Sequence, residues 1–156
     1  MENPPRATAP LMSSAVMAGF PSPAEQYVER PLDLNELLVA RPAATYFVRA
    51  AGESMVGAGI RDGDLLVVDR SLEPEDGSTV IACVDGEFTV KTYRRDRGGV
   101  RLEAANPAYP PIRFGGEMEL RTFGVVTAVV HRLLPAPRPD GAPQAAGRRP
   151  RKGPSA

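Results

Sequence analysis

Ser54 stands in the run Gly52-Glu53-Ser54-Met55, with Gly57 and Gly59 close behind. That composition suits a tight turn at a strand end, holding a hydroxyl on a constrained backbone. A serine is a poor nucleophile until a base takes its proton. The chain has one histidine, His131, set in a mostly apolar strand-like run, so a Ser-His-Asp triad has a single candidate base. The other candidate is Lys91, in Phe88-Thr89-Val90-Lys91-Thr92-Tyr93. Alternation along a strand places Thr89 and Lys91 on one side and Phe88 and Val90 on the other. Lysine titrates near 10.4, and bringing it to about 7 requires roughly 4.6 kcal/mol of environmental bias, which burial can supply. A neutral lysine could then accept a serine proton, the Ser-Lys variant of triad chemistry. The plainer readings stand beside these: Ser54 as a turn residue, Lys91 as a solvated strand residue or edge gatekeeper. Spacing alone does not bring the two together.

The elements that must position these residues are short strands. Thr45–Ala50 is rich in aromatic and branched residues. Asp62-Gly63 precedes Leu65–Val68, Asp76-Gly77 precedes Thr79–Val84, and Asp85-Gly86 joins that run to Phe88–Tyr93. An Asp-Gly pair between two such runs is a strong hairpin signal. Gly98-Gly99 leads into Val100–Leu102, Pro110-Pro111 into Ile112–Phe114, and a long last strand over 120–134 is expected to bend at Gly124. The pattern predicts a compact, mostly-β domain over 45–134, of sandwich or barrel type. Ahead of it, 19–44 reads as a linker with short helical segments. One would run through Ala24–Val28 and a second over Asp33–Ala40, with Asp33 as cap, Leu34, Leu37 and Leu38 on one face, and Pro42 ending it. Residues 1–18 read as an irregular, flexible arm. Residues 135–156, rich in Pro and Arg, read as a disordered tail.

Composition excludes several classes. The 156 residues carry 19 Lys+Arg and 19 Asp+Glu, a net charge of zero, but the balance is uneven. The tail holds Arg138, Arg148, Arg149, Arg151 and Lys152 against Asp140 alone. Dense apolar runs between 32 and 134 rule out uniform disorder. The longest, Phe123–Leu134, is broken by His131 and Arg132 and is too short for a membrane span. The N-terminus lacks the lysine-rich start and apolar block of a secretory signal, so a cytoplasmic protein without a membrane partner is expected. Cys83, the one cysteine, allows no internal disulfide and no cysteine-based zinc site; it reads as a small buried hydrophobe. No metal or cofactor site is expected.

Several segments together resemble a known family. Phe20-Pro21-Ser22-Pro23, Gly52-Glu53-Ser54-Met55, Gly59-Ile60 with Asp62-Gly63-Asp64, and Val84–Lys91 are similar to the UmuD branch of the LexA-type self-cleaving peptidases. So are Asn106-Pro107-Ala108-Tyr109-Pro110 and Phe123-Gly124-Val125-Val126, and the match covers roughly 18–134 in one order. The resemblance implies a LexA-like peptidase fold and a Ser-Lys dyad, with Ser54 as nucleophile and Lys91 as general base. It implies backbone N–H groups of Glu53 and Ser54 as oxyanion donors and a scissile bond at Ala18-Gly19, releasing 1–18. It further implies stimulation by a RecA filament on single-stranded DNA. The processed homodimer would join a UmuC-type polymerase subunit in error-prone translesion synthesis during the SOS response. The basic tail has no counterpart in the family, and direct DNA binding is not assigned to it.

Other readings use the same residues. A LexA or phage-repressor-like transcriptional switch would need a helix-turn-helix domain, which residues 1–18 do not form. A signal-peptidase-like protease shares the G-x-S-M serine and strand lysine but is normally membrane-anchored. A catalytically inert polymerase-binding subunit would have no use for both Ser54 and Lys91.

Overall fold

A computed structural model of the chain describes residues 6–13, 15–19, 28–114 and 120–135. Its first two strands, β1 (Ala9–Met12) and β2 (Val28–Leu32), form a separate antiparallel ladder. A short helix α1 (Leu34–Leu38) follows, then β3 (Thr45–Arg49), β4 (Leu65–Asp69), β5 (Thr79–Val84), β6 (Glu87–Asp96), β7 (Gly99–Glu103), β8 (Ile112–Arg113) and β9 (Leu120–Val130). The last seven strands make one antiparallel sheet in the order β3-β4-β9-β5-β6-β7-β8. The C-terminal strand β9 thus lies inside the sheet, between two strands from the middle of the chain. This is the mostly-β domain that the strand and turn pattern predicts, built as one sheet with β3 and β8 at its two edges.

The turns set the register. Asp85 and Gly86 both take positive φ, 49° and 82°, the two-residue turn whose twist matches that of its flanking strands. It pairs Val84 with Glu87, and counting back along that ladder puts Lys91 opposite Val80. The site lysine is therefore placed by a turn six residues away. On its other side β6 meets β7 only from Thr92, opposite Glu103. The β6 edge over 87–91 has no strand beside it among the described residues.

Apolar residues pack on both faces. Along β5, Ile81 joins a cluster with Ala50, Met55, Ile60, Leu66 and Val68. Its neighbours Val80 and Ala82 join a second cluster with Tyr93 and Leu102, as alternation along a strand requires. β9 accommodates this with two irregularities: its register slips by one residue against β5 at Ile81/Ala82 and against β4 at Val67/Val68. Gly124 sits at the first, with φ 138°. A Cβ there would lie 2.6 Å from Val68 Cγ1 and 3.1 Å from the Asp69 carbonyl oxygen, so the bend expected at this glycine is also a close approach that a side chain would block.

Helix α1 begins where the sequence places its cap: the Asp33 carboxylate accepts from the Asn35 N–H at 2.9 Å. The helix expected through Ala24–Val28 falls on residues outside those described, apart from Val28, which starts β2 instead. Ala9–Met12 form a strand where irregular chain is expected. Their run, Ala-Pro-Leu-Met, has no alternation to read, and Pro10 faces Pro31 across the ladder. Proline is tolerated in edge strands, where its missing N–H disrupts no second neighbour. The expected tail lies beyond the described residues from 136 onward. Among the described residues, no helix is long and apolar enough to cross a membrane.

Candidate active site

Ser54 lies half-buried on a turn just after β3, and the turn is held from both ends. On the N-terminal side, Gly52 takes φ 86° and its N–H donates to the Asp62 carboxylate at 2.8 Å. Ala50 is tied to the Asp62-Gly63-Asp64 segment by two 2.8 Å backbone bonds: its N–H donates to the Asp64 carbonyl, and its carbonyl accepts from the Gly63 N–H. On the C-terminal side, Met55 is 2% exposed and anchors the turn in the core. A tight 3-10 turn over Val56–Ala58 then ends at Gly59, which is left-handed. The glycines and methionine around Ser54 thus have separate tasks: conformational freedom before it, and a buried anchor after it.

Lys91 comes to meet it. Its Nζ lies 2.9 Å from Ser54 Oγ, 2.9 Å from Thr89 Oγ1 and 3.1 Å from the Val90 carbonyl oxygen. The residue is only 9% exposed. Burial holds its pKa below the ordinary lysine value, and among the described residues no carboxylate forms an ion pair with it. The three partners suit a neutral amine, which has two N–H groups and one lone pair. The carbonyl of Val90 and the hydroxyl of Thr89 take the two N–H donors, leaving the lone pair for the Ser54 O–H.

The remaining sequence-predicted residues fall as follows. His131 does not serve Ser54; its Nδ1 lies 2.5 Å from Asp64 Oδ1. Asp64 is buried, and its carboxyl is held below the usual range mainly by the Arg61 N–H, with the His131 contact adding to it. A Ser-His-Asp triad on Ser54 is not assembled. Cys83 is half-buried and free, opposite Phe88 across the hairpin. Ala18 and Gly19 are exposed, and a Cβ at Gly19 would meet nothing within 4 Å, so this dipeptide is not docked in a cleft. Among the described residues, no acceptor takes the N–H of Glu53 or Ser54. No cluster of three metal-ligating side chains occurs among them either.

One contributor escaped the sequence reading. The loop after β7 touches the serine turn at three points: the Gly57 N–H donates to the Ala105 carbonyl at 2.8 Å, the Ala105 N–H to Met55 Sδ at 3.4 Å, and the Asn106 Nδ2 to the Glu53 carbonyl at 3.0 Å. The only sequence signal was the Asn106–Pro110 motif itself, which names no role.

Comparison with known proteins identifies the family. The Peptidase S24-like family model matches residues 10–127. Protein SamA of Salmonella typhimurium strain LT2 is 49% identical over 131 residues, 84% of this chain and 91% of that one. Protein MucA of Escherichia coli is 52% identical over 129 residues, 82% of this chain and 86% of that one. A LexA repressor from Halorhodospira halophila is 38% identical over 138 residues, 88% of this chain and 60% of its own length. A family model matched over most of the chain, with identities of 49–52% to relatives such as SamA and MucA, settles the family: the chain belongs to the Peptidase S24-like family, among the UmuD-like SOS mutagenesis proteins, as a self-cleaving serine peptidase.

Proposed function

We propose that Ser54 and Lys91 are the catalytic dyad of this peptidase and that the bond it cuts is Ala18-Gly19. The observation that carries this reading is the 2.9 Å approach of Lys91 Nζ to Ser54 Oγ, with no carboxylate among the described residues paired to the lysine. In the first step neutral Lys91 takes the Ser54 proton as Oγ bonds to the Ala18 carbonyl carbon. The N–H groups of Glu53 and Ser54 bind the resulting oxyanion. The Lys91 ammonium then gives its proton to the Gly19 nitrogen, which leaves, and water later hydrolyses the Ala18 ester by the same relay.

Docking must precede chemistry, because Gly19 stands in open space. The β6 edge over 87–91, which includes Lys91 and has no strand beside it among the described residues, is a natural place for an extended segment to lie. Small side chains at 18 and 19 suit entry into a narrow cleft. A docked state that is rarely populated makes unstimulated cleavage slow, and a partner that favours it raises the rate in proportion. On this reading the partner is a RecA filament on single-stranded DNA. The product, a cytoplasmic homodimer, joins a UmuC-type translesion polymerase subunit in the SOS response.

The test is incubation of the purified chain at alkaline pH, followed by intact-mass spectrometry. The expected result is loss of residues 1–18 from wild type and no change in Ser54→Ala or Lys91→Ala. Cleavage of Ser54→Ala at the wild-type rate would remove the dyad; cleavage at another bond would remove the assignment of Ala18-Gly19 alone.

A further inference from the structure

We infer that Asn106 is a positioning residue for the oxyanion site, holding the peptide plane whose N–H belongs to Ser54. The inference rests on the dyad reading above and adds a residue to it.

The geometry begins with a shared plane. The carbonyl of Glu53 and the N–H of Ser54 belong to one peptide group, and in a trans peptide they point in opposite directions within a rigid plane. Fixing one fixes the other. Asn106 Nδ2 donates to that carbonyl at 3.0 Å, so it sets the direction of the Ser54 N–H, which no acceptor among the described residues takes. Among the described residues, the only other donor to this carbonyl is the Val56 N–H, at a longer 3.4 Å. Without Asn106, only that longer Val56 bond would resist rotation of the plane about its two flanking bonds.

The asparagine is itself held. Its Oδ1 accepts from the Ala108 N–H at 3.0 Å, and its carbonyl accepts from the Tyr109 N–H at 3.1 Å. A backbone N–H can only donate, so Oδ1 must face Ala108 and Nδ2 must face Glu53; the amide has one consistent orientation. Pro107 restricts the turn between them. The loop is then pinned to the serine turn a second time through Gly57, where an added Cβ would lie 2.5 Å from the Ala105 carbonyl oxygen. A loop that approaches this closely, and that carries a locked amide aimed at one carbonyl, does more than close the sheet.

Lys91 takes no part in these contacts, which gives the proposal its signature. Loss of the Asn106 amide should slow cleavage without changing the proton equilibrium that switches the base on. The experiment measures first-order self-cleavage of full-length Asn106→Ala and Asn106→Asp across a pH series, with thermal unfolding of each and Ser54→Ala as control. Removing an oxyanion donor outright slows such reactions about 10²- to 10³-fold. Misaiming one should cost about ten- to a hundredfold for Asn106→Ala, and more for Asn106→Asp, whose carboxylate would face the Glu53 carbonyl. For Asn106→Ala the pH midpoint should coincide with that of wild type, and the variant should unfold within about two degrees of it. Wild-type rates in Asn106→Ala overturn the inference. So does a displaced pH midpoint, which would place the effect on Lys91, or an unfolding temperature lowered enough to explain the loss. If Ser54→Ala cleaves as fast as wild type, the dyad reading fails, and the positioning role falls with it.

Discussion

The Nζ of Lys91 lies 2.9 Å from the Oγ of Ser54, and the two residues are brought together by unlike means. Ser54 is held by a turn with a buried methionine after it; Lys91 is held by the register of a hairpin. Because burial lowers the pKa of Lys91, with no carboxylate among the described residues to oppose it, the pH dependence of cleavage can be stated in advance. The rate should climb about tenfold per pH unit and level off with a midpoint below the ordinary lysine value of about 10.4. Time courses by intact mass over pH 6–11 would give that midpoint. A midpoint at or above the ordinary value would mean that the amine is solvated in the reactive state.

The same burial predicts a split between activity and stability. An ammonium removed from water disfavours the folded state, so the unfolded chain binds more protons between the two pKa values and stability should rise with pH across that window. Lys91→Met keeps the length of the side chain and removes the charge. It should cleave at least about a hundredfold more slowly and yet unfold at the same temperature as wild type or a few degrees higher at neutral pH. Scanning calorimetry on both proteins decides it; a large fall in unfolding temperature would show that the amine stabilises the fold.

Gly124 offers a purely structural prediction. Its φ of 138° is unfavourable for any side chain, and Val68 Cγ1 stands 2.6 Å from where a Cβ would be. Gly124→Ala should destabilise the domain by about 2–4 kcal/mol, through backbone strain and overpacking together. Urea unfolding should show a lower midpoint with an unchanged slope. A variant as stable as wild type would mean that β9 can shift its bulge.

Acid sensitivity follows from two buried carboxylates. Asp69 accepts from the Ser71 hydroxyl at 2.6 Å, the Ser71 N–H at 2.8 Å and Arg41 Nη1 at 2.8 Å. Its carboxyl is held below the usual range, first by the Ser71 hydroxyl. Asp64 is likewise lowered, first by the Arg61 N–H. For a group more acidic when folded, the stabilisation is present above the unfolded pKa, near 3.9, and is lost as pH falls through the folded value. Stability should therefore drop steeply below about pH 4. Asp69→Asn should be less stable at pH 7 and show a shallower acid loss, as read from urea midpoints at pH 7 and pH 3.

Much of this arrangement is legible in the sequence because it is local. Asp-Gly turns, the Asp33 cap, the bend at Gly124 and the shared side of Thr89 and Lys91 all follow from neighbours in the chain. What is not legible is set by tertiary approach. Asn106 reaches Glu53 across 53 positions, and an asparagine beside a proline reads only as a turn residue. His131, isolated in an apolar run, invites a catalytic reading; its actual partner, Asp64, lies 67 positions away in a turn whose other duties hide it. β1 is not legible because its short run around Pro10 carries no strand pattern, although its backbone pairs well enough with β2.

That small β1–β2 ladder changes what cutting the chain would accomplish. Ala18 and Gly19 lie in the connection between its two strands, so before cleavage the strands are tethered and meet at an effective concentration in the millimolar range. A two-stranded ribbon this short is marginal in water. The Arg6–Glu36 pair, with both side chains well exposed, adds little to it. A cut at 18 would leave every contact in place at first and remove only the tether. The arm would then be an ordinary dissociating peptide, lost by dilution and unable to return at cellular concentrations. Irreversibility would come from entropy, one step after the chemistry.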